Sequence, residues 1–145
     1  MLFRSELELG ADVFKLKSRV NDITGVAPER SDGTLGDPEW QGQGRIRYHN
    51  DSWGFSTNLN YVGKQLLSRF NRGPNPNDTR EFDHFKAYVT VDASVWIETQ
   101  DDFRMTLSVT NLTDRIGQKY NGFIIPASIN DAFGRRYALT VAKKF

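Results

Sequence analysis

Few residues in this chain have the type and spacing that catalysis requires. The two histidines, His49 and His84, are far apart in the sequence. The carboxylates are scattered, without a pairing suited to acid–base chemistry, and no serine lies in a nucleophile-elbow sequence. Because cysteine is absent, the chain has no thiolate metal site and no disulfide. We therefore expect neither an enzyme nor a bound cofactor.

One basic cluster is a candidate for ligand binding. Arg69, Arg72 and Arg80 lie within a single polar segment. Guanidinium groups bind anions through paired hydrogen bonds, so these side chains could contact an anionic ligand. Ordinary charged loop residues are the alternative interpretation. The net charge of the chain is only +1, and composition therefore does not favour a nucleic acid partner.

The elements that must position this segment are β-strands. Period-two alternation of apolar and polar residues predicts six of them, at 3–16, 39–49, 53–63, 85–98, 103–110 and 134–145. The clearest alternation runs from Ala87 to Ile97. For 3–16 a helix is the rival prediction, because Leu7, Ala11 and Phe14 also fit helical spacing, but Gly10 weakens it.

The connections between these strands are of two kinds. Those at 50–52 and 99–102 are short, whereas 17–38, 64–84 and 114–133 are long and rich in turn-forming residues. Short and long connections alternate strictly, which is typical of an up-and-down transmembrane barrel. A soluble sandwich has turns at regular intervals without this asymmetry. The sequence thus predicts an all-β, antiparallel meander of about six strands within a larger transmembrane β-barrel.

The alternation also predicts which face of the sheet contacts lipid. Residues of one parity are apolar, while those of the other are Ser, Thr, Asn, Arg, Asp and Glu, which suits a wet lumen. The predicted lipid-facing residues are Val89, Val91, Val95, Phe103, Met105, Leu107 and Val109. The sequence also predicts aromatic residues at both ends of this face, where a membrane protein meets the two membrane–water interfaces. They are Tyr48, Trp53, Phe55, Phe103 and Phe145 at one end, and Trp40, Tyr61, Phe85 and Tyr137 at the other.

Two further expectations concern the extent of the sheet. The polar parity carries Arg45, Arg47, Asp92, Glu98, Arg104 and Arg136. So many charges would be poorly hydrated inside a very small barrel, where unpaired charge is costly. We therefore expect an open, curved sheet whose first and last strands do not pair. The sequence starts without a signal peptide, and because a barrel protein must be exported, we expect a fragment of a longer chain.

Three short motifs resemble TonB-dependent outer-membrane receptors. Leu107-Ser-Val-Thr-Asn-Leu-Thr-Asp-Arg115 resembles the L-x-V-x-N-L-F-D-K of their penultimate strand. Gly134-Arg-Arg-Tyr137, followed by alternation to Phe145, resembles their closing strand, and Leu59-Asn-Tyr-Val-Gly-Lys64 resembles a strand end before a long loop. The likeness spans about residues 40–145. Two departures are Thr113, where the family often has Phe, and Lys143, where an apolar residue is usual.

The resemblance implies a specific location and activity. A plugged barrel of about 22 strands is implied, in which residues 1–145 form the C-terminal part, in the outer membrane of a Gram-negative bacterium. It also implies TonB-coupled uptake of a scarce ligand such as a ferric siderophore, cobalamin or a sugar, with the TonB complex bound through an N-terminal part. The barrel-assembly machinery would read a C-terminal signal comprising Tyr137, Leu139, Val141 and Phe145. The alternatives are a passive outer-membrane channel and a soluble β-domain that binds carbohydrate or protein.

Overall fold

The computed structural model describes residues 5–25, 27–67, 82–99, 102–120, 123–124 and 133–143. Every regular element in this part of the chain is a β-strand. Within the same residues, no helix has the length and apolar character needed to cross a membrane. The all-β prediction is confirmed.

The strands are of two lengths. The long ones are β1 (Glu6–Lys15), β4 (Trp40–His49), β5 (Trp53–Val62), β8 (Tyr88–Glu98), β9 (Phe103–Thr110) and β12 (Arg136–Lys143). The short ones contain two residues each and lie in the long connections: β2 (Val20–Asn21), β3 (Glu29–Arg30), β6 (Gln65–Leu66), β7 (His84–Phe85), β10 (Lys119–Tyr120) and β11 (Phe123–Ile124).

The six long strands form one antiparallel sheet in the order β1-β4-β5-β8-β9-β12. Each strand pairs with its neighbour among the long strands along the chain, which is the predicted up-and-down meander. The segment 3–16 is a strand and not a helix, since residues Glu6 to Lys15 pair in unbroken register with His49 to Trp40. The first and last long strands, β1 and β12, are the two edges of the sheet, and they do not pair with each other in the described structure.

Local hydrogen bonds close the two short connections. The side chain of Asn50 accepts hydrogen bonds from the backbone N–H groups of Ser52 and Trp53, at 2.9 and 2.8 Å. This turn, in which an asparagine side chain replaces a backbone acceptor, reverses the chain between β4 and β5. Between β8 and β9 the Thr99 N–H bonds to the Phe103 carbonyl at 2.8 Å, and Asp102 adopts a φ of 60°. Both turns lie at the same end of the sheet, because the strands alternate in direction.

The described parts of the long connections bond to one another at the opposite end. Gln65, which is almost fully buried, accepts a hydrogen bond from the Gly36 N–H at 2.9 Å. The Leu66 N–H bonds to the Gly33 carbonyl at 2.8 Å, so the first and second connections form one small unit. The Gln118 side chain accepts from the Lys86 N–H at 3.1 Å and joins the third connection to the second.

The fourth long strand starts later than the sequence predicts. Residues His84–Phe85 pair with Gln65–Leu66 and not with the main sheet, which β8 enters only at Tyr88. Phe85 is 1% exposed and contacts Phe82 edge-on, with ring centroids 4.9 Å apart. Its predicted place among the aromatic residues at one end of the lipid-facing face, with Trp40, Tyr61 and Tyr137, is therefore wrong. Among the residues whose burial the structure describes, Phe85 is the one buried hydrophobic side chain, so the small core lies beneath the connections and not against the sheet.

Candidate functional site

The main sheet has one apolar face, and the strand register defines it. Directly paired residues in antiparallel strands project to the same side. Leu59 pairs with Val91, Val95 with Leu107, and Leu107 with Leu139. Apolar side chains therefore lie side by side on one face across β5, β8, β9 and β12. Leu9 and Ile46 extend it to the other edge. The same register places all the predicted lipid-facing residues on this face: Val89, Val91, Val95, Phe103, Met105, Leu107 and Val109.

No second layer covers the apolar face in the described structure. Many of its apolar side chains are exposed, among them Leu9, Val13, Ile46, Val95, Leu107, Leu139 and Val141. A soluble β-domain normally packs such a face against another sheet or a helix. Exposure of this extent marks a surface that contacts something else, either protein or membrane.

Aromatic rings border the apolar face at both ends. Near the short turns, the Tyr48 ring centroid lies 5.0 Å from that of Trp53 and 5.9 Å from that of Phe55. At the same end the Lys143 ammonium lies 4.6 Å from the centroid of the Phe103 ring. Lys143 shares the apolar parity, and this cation–π contact gives its charge a partner.

The end that bears the long connections has a second aromatic border. Trp40 and Tyr61 lie there on the apolar parity, and Tyr137 lies there on β12. The Lys15 ammonium is 4.8 Å from the centroid of the Trp40 ring. Phe85 does not belong to this border. At both ends the aromatic rings include several that carry a polar atom or lie beside a cation, which suits an interface between apolar and aqueous phases.

The opposite face is polar and carries complementary charges. On β1 and β4, Arg45 bonds to Asp12 at 2.8 Å and Arg47 bonds to Glu8 at 3.3 Å. All four of these side chains are more than half exposed, so each pair contributes little stability. Farther along the sheet the Ser56 and Ser94 hydroxyls are 2.8 Å apart. Such a surface suits contact with water and not with lipid.

A tryptophan on the polar face explains a glycine in the strand beside it. The indole of Trp96 crosses Gly54, where a Cβ atom would come within 2.7 Å of the indole Nε1 and of the Tyr48 carbonyl oxygen. The Arg104 guanidinium lies 4.4 Å from the centroid of the Trp96 ring and bonds to Glu98 at 2.9 Å. Trp96 therefore lies on the polar parity, away from the aromatic borders.

The Asn-Leu-Thr-Asp motif forms a tight turn centred on a fully buried side chain. Asn111 has 0% exposure and a φ of 54°. Its amide group donates to the Arg115 carbonyl at 2.7 Å and accepts from the Arg115 N–H at 2.9 Å. The backbone N–H of Asn111 donates to the Asp92 carboxylate at 2.8 Å. The turn therefore ties the end of β9 to the middle of β8.

The same turn also reaches the last strand. Asp114, with a φ of 53°, accepts a hydrogen bond from the Arg135 N–H at 2.8 Å. Gly134 has a φ of 71°, and a Cβ atom there would lie 2.8 Å from the Asp114 carboxylate oxygen. Glycine is thus required by both conformation and space. The two motifs Asn111–Arg115 and Gly134–Tyr137 are parts of one structural unit.

A cavity of about 680 Å³ lies at the end that bears the long connections. We call it the loop-end cavity. Trp40 and Tyr61 from the aromatic border form part of its wall, together with Leu66 and Phe85 from the connections. Its charged lining consists of Asp32, Glu39, Lys64 and Lys86, with His84 beside them. Its size is within the range of cavities that bind small molecules.

The carboxylates of this cavity already have cationic partners that do not line it. Arg30 donates two hydrogen bonds of 3.0 Å to Asp32, and these bonds, with the attraction between the charges, raise the pKa of the Arg30 guanidinium. Lys15 lies 3.6 Å from Glu39. In contrast, neither Lys64 nor Lys86 forms an ion pair with any described residue. Because both carboxylates are paired with cations outside the cavity, Lys64 and Lys86 give the cavity a net positive charge.

A second cavity, of about 530 Å³, lies over the apolar face and shares Trp40 and Tyr61 with the first. Val13 and Leu59 form its sides and Gly42 lies between them. A Cβ atom at Gly42 would come within 3.3 Å of the Asp12 carbonyl oxygen, so a side chain there would crowd the neighbouring backbone and project into this cavity. We call this feature the glycine groove.

Several predicted site residues lie in separate parts of the molecule or outside the described structure. Tyr137, Leu139 and Val141 lie together on β12 with exposed side chains. Phe145, the last residue of the predicted assembly signal, lies outside the described residues, as do Arg69, Arg72 and Arg80 of the predicted ligand site. Their roles stay predictions. The described residues contain no group of three or more His, Cys, Asp or Glu residues able to hold a metal ion.

Sequence reasoning missed the loop-end cavity. Its lining residues are distributed over four segments, from Asp32 to Ala87, and no periodic pattern connects them. The glycine groove left a visible signal, since Gly42 and Gly44 interrupt the apolar parity of an otherwise regular strand. Glycine in a strand interior often marks the close approach of another group.

The chain matches no family model, no curated protein and no solved structure. The likeness to TonB-dependent receptors therefore rests on three short motifs, and membership of that family stays a prediction.

Proposed function

We propose that this chain forms part of the barrel wall of a TonB-dependent receptor in the outer membrane of a Gram-negative bacterium. One observation carries the proposal: a six-stranded sheet presents a continuous apolar face that nothing in the described structure covers. Lipid is the partner that this face fits, because it covers apolar side chains across a whole sheet without a second protein layer. The protein acts in transport and not in catalysis.

The polar face supports a wide, water-filled or plugged lumen. Arg45, Arg47 and Arg104 have cross-strand acidic partners but remain about half exposed. In a narrow barrel such side chains would lose hydration at considerable cost. A large barrel keeps them wet and leaves β1 and β12 to pair with further strands. The missing strands and the plug would be contributed by other parts of the receptor.

The arrangement of connections gives the sheet an orientation. Transmembrane barrels of bacteria have short turns on the periplasmic side and long loops outside. The turns at Asn50–Ser52 and Thr99–Asp102 would then be periplasmic, and the loop-end cavity would lie near the outer surface. Ligand capture from outside the cell would fall to the long connections, where Arg69, Arg72 and Arg80 are the proposed anion-binding residues.

The Asn111 turn favours the receptor over a passive channel. In this turn Asn111 and Asp114 hold the backbone by hydrogen bonds, and Gly134 leaves room for the Asp114 carboxylate. These three residues belong to the motifs that resemble the last two strands of the receptor family. A passive outer-membrane channel is the second candidate, since its barrel wall would have the same two faces. Only the receptor carries a plug domain, so the reading frame upstream of Met1 distinguishes the two.

Fractionation of the full polypeptide tests the membrane assignment. The polypeptide is expressed in a Gram-negative host behind an export signal, and membranes are separated on a sucrose gradient and washed with urea. We expect it in the outer-membrane fraction, with a gel mobility that changes on boiling, as folded barrels show. Recovery as a compact, detergent-free monomer would instead establish the soluble β-domain.

A further inference from the structure

We propose that the loop-end cavity and the glycine groove together bind one phosphate-bearing lipid, with its headgroup near Lys64 and Lys86 and one acyl chain over Gly42. This inference rests on the proposed function, because it requires the apolar face to contact a membrane. It adds a specific lipid site to a surface that would otherwise contact lipid without selectivity.

Continuity of the two cavities is the first argument. Trp40 and Tyr61 line both, so the lysine-bearing loop-end cavity and the uncharged glycine groove meet at these two rings. A lipid has the same division, with a charged head joined to an apolar chain. Trp and Tyr rings prefer the depth at which lipid headgroups begin. The shared rings therefore place the junction of the two cavities at the membrane interface.

Charge is the second argument. The two carboxylates of the loop-end cavity are neutralised by Arg30 and Lys15, whereas Lys64 and Lys86 form no ion pair with a described residue. Two unpaired ammonium groups beside a mostly apolar wall favour an anion. A phosphate group meets this need, since lysine binds phosphate as a compact point charge.

The shape of the groove also fits an acyl chain. Glycine at position 42 leaves the sheet surface open between Val13 and Leu59, which project from the neighbouring strands. Elsewhere on the apolar face, branched or aromatic side chains occupy most positions. An acyl chain laid along this gap would contact aliphatic carbon on both sides, and dispersion contacts accumulate along its length.

Lipid titration of the full polypeptide in a nonionic detergent tests the proposal. Dimyristoyl phosphatidic acid is compared with dimyristoyl phosphatidylcholine, which has the same chains but no net charge, and inorganic phosphate is the headgroup alone. Retained lipid is counted by native mass spectrometry. We expect phosphatidic acid to bind at least about tenfold more tightly than phosphatidylcholine, and inorganic phosphate to compete poorly. Equal binding of both lipids, or full competition by phosphate, would overturn the proposal.

Variants separate the two halves of the site. The double variant Lys64→Gln with Lys86→Gln should reduce affinity for phosphatidic acid by about tenfold or more, with little effect on phosphatidylcholine. Val13→Phe should narrow the groove and weaken both lipids. Lys17→Gln is the matched control, since Lys17 is an exposed lysine near the same end but lines neither cavity. An unchanged affinity in the double lysine variant would contradict the headgroup assignment.

The outcomes distinguish this inference from the proposed function. A protein that fractionates with the outer membrane and shows a heat-modifiable mobility, but has no headgroup preference, retains its proposed function and loses this site. A protein recovered as a soluble monomer that binds neither lipid loses both. The heat-dependent mobility of every variant is measured in parallel, so a loss of lipid is attributed to the site only where the barrel is folded.

Discussion

The side-chain amide of Asn111 satisfies both backbone groups of Arg115. Its nitrogen donates to the Arg115 carbonyl at 2.7 Å, and its oxygen accepts from the Arg115 N–H at 2.9 Å. The Tyr88 hydroxyl donates to the same carbonyl at 2.6 Å. One buried side chain thus completes the hydrogen bonding of a turn that leaves β9, and Tyr88 connects that turn to the start of β8.

Replacement of this asparagine should destabilise the protein. Asn111→Ala would remove the acceptor of the Arg115 N–H from a partly buried hydrogen bond, and an unsatisfied buried group costs about 1–3 kcal/mol. We expect the free energy of unfolding to fall by about 2–4 kcal/mol, since two bonds are lost. Urea titration of the refolded protein in micelles, followed by Trp fluorescence, measures the change.

Asn58→Ala is the matched control for this experiment. Asn58 is also an asparagine in the main sheet, but its side chain is exposed and makes no hydrogen bond with a described residue. Its replacement should change stability by less than about 0.5 kcal/mol. Equal stability of the Asn111 and Asn58 variants would show that the buried amide does not hold the turn.

A second prediction compares two glycines in neighbouring strands. Gly54→Ala would place a methyl group 2.7 Å from both the Trp96 indole nitrogen and the Tyr48 carbonyl oxygen. Gly44→Ala meets only the Leu59 Cβ atom, at an ordinary 3.8 Å. We expect the first variant to lose about 1–3 kcal/mol through overpacking and the second to be neutral or slightly stabilised.

Removal of the tryptophan side chain should not fully rescue Gly54→Ala. The Tyr48 carbonyl is backbone and keeps its position when Trp96 becomes alanine. The double variant Gly54→Ala with Trp96→Ala should therefore stay less stable than Trp96→Ala alone, as measured by the midpoint of urea unfolding. Complete rescue would mean that the indole is the sole obstacle and that the strand backbone adjusts freely.

The sequence predicts the main sheet well because its alternation is nearly unbroken. The strand from Ala87 to Ile97 has apolar residues at every second position, and a slip of one residue would move all of them to the polar face. The alternation predicts that this strand starts at residue 85, three residues before β8 begins at Tyr88, because Phe85 fits the pattern yet pairs with Gln65. Local pattern cannot reveal that another connection competes for the same residue.

The candidate site was less accessible to sequence reasoning. The arginines of the predicted ligand site cluster in the sequence, whereas the loop-end cavity depends on Lys64 and Lys86, which are more than a strand length apart along the chain. In the described structure neither lysine has an acidic partner. The two carboxylates of the cavity bind other cations, since Arg30 pairs with Asp32 and Lys15 with Glu39. Such pairing has no signature in composition or spacing.

A third prediction uses two adjacent residues of β12 that project to opposite faces. Leu139 pairs with Leu107 on the apolar face, whereas Thr140 pairs with Thr106 on the polar face. Arginine near the middle of a lipid-facing strand costs about 2–4 kcal/mol, so Leu139→Arg should reduce the amount of folded barrel in outer membranes. Thr140→Arg should have little effect because its side chain remains in water.

The soluble alternative predicts the opposite outcome for this pair. On a soluble domain, Leu139→Arg would remove an exposed apolar side chain and improve solubility. The measurement is the fraction of protein with heat-modifiable mobility in membranes of cells that express each variant at the same level. Equal fractions for Leu139→Arg and Thr140→Arg would contradict lipid contact on this face.

A fourth prediction concerns the end of the chain. If the terminal aromatic residue belongs to the signal read by the barrel-assembly machinery, deletion of Phe145 should reduce the heat-modifiable form of the full-length protein severalfold. Lys143 makes this signal unusual, because its ammonium lies over the Phe103 ring at a position where the receptor family usually has an apolar residue. Lys143→Tyr should therefore preserve or improve assembly. Phe145→Tyr keeps a terminal ring and serves as the control for the deletion, while unchanged folded barrel after the deletion would exclude an assembly role for Phe145.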